Sequence, residues 1–146
     1  MRVGRSWELR LEFHADPDLV AALTSVLNAL AEDIASAPEM REYDSLGWSI
    51  RQKIDADDGD SVYGLEVMMS RSGRDRYGFG MPVNLDNKYS AFTIADEFHT
   101  HVLDDRVLWP NVDGKILSPG LINGDIVWQH RGQEYAKVGE LRSILG

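Results

Sequence analysis

Cysteine is missing from this 146-residue chain. Its absence excludes disulfides, thiolate zinc sites and a cysteine nucleophile, and leaves the redox compartment open. Long apolar runs are missing too, since none approaches the roughly 20 residues that a membrane-crossing helix needs. The opening segment, MRVGRSWELRLEF, alternates apolar and polar residues, the pattern of a strand and not of a signal peptide's apolar core. A cytoplasmic protein without a membrane partner is therefore expected. Positive charge is scarce: 15 Lys and Arg stand against 24 Asp and Glu, for a net charge of −9. Residues 1–60 hold 13 acidic and 6 basic side chains, and residues 61–146 hold 11 and 9. Phosphate backbones attract positive charge, so non-specific nucleic-acid binding is disfavoured. A basic protein partner fits the charge better, because opposite fields steer association. No G-x-S-x-G elbow, H-E-x-x-H pair or Gly-rich phosphate loop occurs. Repeats and linkers are absent as well, and a single α+β domain over residues 1–146 is expected.

The periodicities that are present define the elements. Trp7, Leu9, Leu11 and Phe13 alternate with Ser6, Glu8, Arg10 and Glu12, predicting a half-buried antiparallel strand. Asp16-Pro17 is an N-cap with proline at the first helical position. Leu19, Leu23, Val26, Leu27, Leu30 and Ile34 then form the stripe of a long helix reaching about Ser36, with Pro38 ending it. Further strands are expected at Trp48–Ile54, Tyr63–Met69 and Tyr77–Val83, giving a four-stranded antiparallel sheet in chain order. In the second of these four strands, Arg51 and Lys53 are placed to face Glu8 and Glu12. Phe92, Ile94, Ala95, Phe98, Val102 and Leu103 predict a second helix within Ala91–Pro110, capped by Ser90 or Thr93 and stopped before Pro110. Asn123-Gly124 joins the arms Lys115–Ile122 and Asp125–His130 in a hairpin. A short helix over Glu134–Leu145 closes the chain.

Three groups of residues invite a chemical reading. Glu97, His101, Asp104 and Asp105 share one flank of the second helix, with His99 close by, so that a metal or acid–base half-site is conceivable there. The plainer account is the wet side of an amphipathic helix. Asp55, Asp57, Asp58 and Asp60, with Glu66 beyond them, resemble the spacing of a calcium loop. The glycine falls one place early and strands are expected to flank the segment, which favours an acidic turn. Arg71, Arg74 and Arg76 form a basic turn able to clamp an anion. Trp109 and Trp128 are expected to pack together as core.

Trp109-Pro110, Gly124, Trp128 and the end Ala136-Lys-Val-Gly139-Glu-Leu141 resemble the tail of small bacterial proteins of unassigned function. The cysteines and paired histidines of that pattern are replaced near Asn111, Asp113 and Gln129, so the resemblance implies a structural module and brings no activity with it. The functional expectation is a small acidic intracellular binding protein, an immunity-type inhibitor or effector chaperone acting on a protein partner, with no cofactor. The alternative is a metal-dependent hydrolase using Glu97, His99, His101 and Asp104 or Asp105. A third is a structural accessory protein.

Overall fold

Alternation in the first strand carries through to the tertiary level. In the computed structural model, which describes residues 1–3, 7–52, 64–82 and 86–145, Trp7–Glu12 forms strand β2, with Trp7 and Leu9 buried and Glu8 and Arg10 exposed. Residues Arg2–Val3 form a short β1 that folds back antiparallel on β2. The Asp16 carboxylate accepts from the Asp18 amide at 2.8 Å and Pro17 opens α1 (Pro17–Ala35). Pro38 then starts a 3-10 turn, Pro38–Tyr43, and strand β3 follows at Leu46–Gln52. Strands β4 (Leu65–Arg71) and β5 (Arg74–Met81) form a hairpin. The parts of the expected strands at Ser6, Lys53, Ile54, Tyr63 and Val83 lie outside the described residues.

The main sheet differs from the expected four antiparallel strands. It has five strands in the order β1-β2-β3-β4-β5, and β2 pairs β3 in parallel. The reason is the long helix between them. A crossover of that length returns the chain in its original direction, whereas antiparallel neighbours are joined by short turns, as β4 and β5 are. The register sets Glu12 opposite Arg51, but Arg51 donates to Glu66 of β4 at 2.8 Å instead. Trp7, Trp48 and Phe98 meet on the inner face, with ring centroids 5.5–6.0 Å apart.

Helix α2 spans Asn87–Asp104 and starts earlier than expected, because Asp86, not Ser90 or Thr93, caps it by accepting from the Lys88 amide at 2.8 Å. Ser90 is buried and the Thr93 hydroxyl donates to the Tyr89 carbonyl inside the helix. The helix stops well before Pro110 in a Schellman turn: the Arg106 amide donates to the Leu103 carbonyl and the Val107 amide to the Val102 carbonyl.

Beyond α2 come a small hairpin, β6 (Asn111–Val112) with β7 (Lys115–Ile116), and a three-stranded sheet of β8 (Ser118–Ile122), β9 (Asp125–His130) and β10 (Gln133–Lys137). Strand β8 begins only after buried Leu117, so the expected arm Lys115–Ile122 is two strands. Strand β10 replaces most of the expected terminal helix, leaving only α3 (Arg142–Leu145). The cause is a further two-residue turn, Arg131-Gly132, whose central residues both take positive φ, as at Asn123-Gly124. That geometry matches strand twist and sends the chain straight back. The C-terminal sheet packs against α2 through β8 and β9. No helix among the described residues is long and apolar enough to cross a membrane.

Candidate functional site

Helix α2 does not present its histidines to water, as a plain amphipathic reading would have it. Both are buried, and they face different neighbours. Residues two apart on a helix point about 200° from one another, so their rings cannot converge on one point. His99 turns toward the C-terminal sheet. Its Nε2 lies 2.9 Å from the Trp109 carbonyl, and its ring packs edge-on against Trp128. A carbonyl can only accept, so Nε2 carries the hydrogen. Burial pushes this histidine below its ordinary range, against a smaller upward pull from the Trp109 bond, and the ring is neutral. Trp109 and Trp128 pack edge to face at 5.1 Å, as expected, and both are fully buried.

His101 turns the other way, to the rim of the main sheet. Its ring lies 5.1 Å from Tyr77 and 6.4 Å from Tyr43. Its Nε2 is 3.5 Å from Asp105 Oδ2 without hydrogen-bonding geometry, and is buried with no partner. Burial lowers the pKa of His101 most strongly. Asp105 and Asp104 oppose that shift, whereas Arg71 and Arg76 add to it.

Around His101 the elements bring together side chains that are distant in sequence. Tyr43, at the end of the 3-10 turn, donates to Asp105 Oδ2 at 2.5 Å. Tyr77 of β5 donates to Glu97 Oε2 at 2.6 Å. Arg71, the last residue of β4, stands over the Tyr43 ring, 3.9 Å from Asp105 and 3.8 Å from Glu42. Its Nη1 is also buried without a partner. Burial first, and then Asp105, pushes the Tyr43 hydroxyl well above the usual tyrosine range. The Glu97 hydrogen bond, seconded by burial, pushes Tyr77 up to about 12.

This arrangement joins one arginine of the expected basic turn to the acidic flank of α2. Arg71 is matched by Asp105 and Glu42, while Arg74 and Arg76 are exposed. Of the residues considered for a metal, His99 stands apart, Glu97 is bonded to Tyr77, and Asp104 is exposed. Among the described residues no three His, Asp or Glu side chains are grouped to hold a metal ion. The two tyrosines are thus held more strongly protonated than usual, and burial holds the histidine between them in its neutral form. Asp55, Asp57, Asp58 and Asp60 lie outside the described residues. A groove of about 620 Å³ on the open face of the main sheet, floored by Gly47 and Met68 between Glu8, Arg10, Ser49 and Ser70, is separate from this cluster.

Pattern reading of the sequence passed over Asp33, although it recurs three residues after Leu30 in the apolar stripe of α1. Its carboxylate is 1% exposed and accepts from the Trp128 indole at 2.8 Å, the Gly139 amide at 2.7 Å and the Leu141 amide at 3.0 Å. Gly139 lies so close to Ala29 that a Cβ there would sit 2.9 Å from the alanine methyl. The residues that mark the tail pattern, Trp128, Gly139 and Leu141, are thus those that Asp33 ties to α1. Tyr43 left no comparable mark in the sequence, and Tyr77 only the alternation of its strand. No protein-family model, curated protein or solved structure matches the chain.

Proposed function

We propose that this protein is a binding protein that neutralises or escorts a basic protein partner through an acidic surface, in the manner of an immunity-type inhibitor or effector chaperone. The observation that carries the reading is the carboxylate-rich end of α2. There Glu97 and Asp105 are held in place by tyrosine hydroxyls, with Asp104 and Glu42 exposed beside them. Carboxylates fixed in this way attract a cation without the entropy cost of ordering long side chains. The net charge of −9 adds a long-range field of the same sign.

Immobilised chain exposed to an extract of its source organism should retain one protein at one-to-one stoichiometry. That protein should elute as salt is raised above about 0.15 M, where the Debye length falls below roughly 8 Å. Failure to recover any stoichiometric protein partner at low salt would sink the reading.

A further inference from the structure

We infer that the turn following α2 is the docking surface for that basic partner, with Leu108 as its apolar anchor. This inference rests on the binding-protein reading above. Leu108 is 65% exposed and Leu103 is 38% exposed, and the two flank a single Schellman turn. The other large exposed apolar side chains among the described residues, Met1, Tyr89, Leu121 and Leu145, belong to other parts of the chain. Of the two, Leu108 is the more exposed and stands at the edge of the acidic stretch that ends α2.

The turn is rigidly held. The Trp109 amide donates to the Val107 carbonyl, His99 donates to the Trp109 carbonyl, and the Leu117 amide donates to the Pro110 carbonyl. Trp109 and Pro110 themselves are buried. Leu108 therefore projects from a fixed base, and its insertion into a pocket would cost little ordering entropy. Arg106 holds φ at +64° in the middle of this turn, a left-handed conformation that glycine normally supplies at a helix end.

Charge selects the occupant. Asp104 and Asp105 precede the turn, Glu42 reaches it through Arg71, and Asp96 continues the acidic edge up the helix, so that four carboxylates stand against the two cations Arg71 and Arg106. A partner surface with an apolar pocket rimmed by Lys or Arg complements both the leucine and the carboxylates. Phosphate-bearing surfaces, nucleic acid or anionic lipid, would be repelled. Rim carboxylates set the rate of encounter, and the buried anchor sets the rate of escape.

The test uses the protein captured from the source extract, titrated in turn against the wild-type chain, Leu108→Ser, Leu108→Gln, Asp104→Lys and a control, Leu121→Ser, at the far hairpin tip. All variants should melt at the wild-type temperature, since each changed side chain is exposed. The expected result is binding at least about tenfold weaker for both Leu108 variants through faster dissociation, slower association for Asp104→Lys, and no change for Leu121→Ser. Equal affinity across all variants would overturn the docking surface and leave the binding reading standing. Recovery of no one-to-one partner by wild type would overturn both. A capture abolished by nuclease or by detergent would replace the protein partner with nucleic acid or lipid, and so overturn the inference.

Discussion

Two polar groups in this molecule, one buried and one at the surface, are built on opposite terms. Asp33 sits between α1 and the C-terminal sheet, and its carboxylate accepts three N–H donors. At the rim of the main sheet, Asp105 is approached by His101 and Arg71, each with a buried nitrogen that finds no partner. The first group is complete and the second is not. A satisfied buried charge fixes one packing arrangement and has nothing left to offer a ligand. An unsatisfied donor leaves free energy to be gained only by an acceptor that can reach it. Orphaned donors alone do not make a site: the indole nitrogens of Trp48 and Trp109 are also unpartnered, yet they lie deep in the apolar core. What distinguishes the Asp105 group is its place beside an exposed, rigid, acidic turn.

The largest expected effect is on the complete group. Asp33→Ala would strand two buried donors and the half-buried Gly139 amide at roughly 1–3 kcal/mol each, so a loss on the order of 4 kcal/mol is expected in urea unfolding. A loss below about 1 kcal/mol would erase the contrast. The second effect depends on pH. Burial holds His99 and His101 below their ordinary range, so the unfolded chain binds more protons than the folded one just below about pH 6.5. The stability this contributes is full above about pH 6.5 and is lost as pH falls through the folded values. Melting near pH 5 should therefore lie below melting near pH 7.5, and the gap should narrow in His99→Asn. An unchanged gap would mean that His99 is not held neutral by its burial.

Smaller effects sharpen the picture at the turn. Arg106→Gly should raise stability by roughly 0.5–1 kcal/mol in the same unfolding assay, because glycine adopts positive φ without strain. A destabilised variant would show that the arginine side chain, and not the backbone, holds the turn. The smallest change is expected for Arg71→Met. Its carboxylate neighbours Asp105 and Glu42 are both solvent-accessible, so an apolar replacement should shift stability by less than about 1 kcal/mol. A loss comparable to that of Asp33→Ala would make this second group a structural clamp as well.

Much of the fold was legible in short stretches of sequence. The strand at Trp7–Glu12, the Asp16-Pro17 start of α1 and the Asn123-Gly124 hairpin each rest on local rules: a two-residue period, a capping oxygen with a proline behind it, and paired positive φ. The body of α2 followed from its spacing of Phe98 and Val102, although its cap at Asp86 lay beyond the apolar pattern. The turn at Arg131-Gly132 was harder to see, since arginine is not a usual partner of glycine in such turns, and the strand after it read as helix.

Sequence by itself determined where these elements form, because a residue's backbone preference and its period act over a few neighbours. Tertiary structure alone decided that β2 and β3 run parallel, that His99 and His101 face opposite sheets, and that Tyr43, Arg71, Tyr77 and Asp105 meet. Those outcomes depend on contacts between residues dozens of positions apart, and their energies arise only when layers close and exclude water from the groups between them.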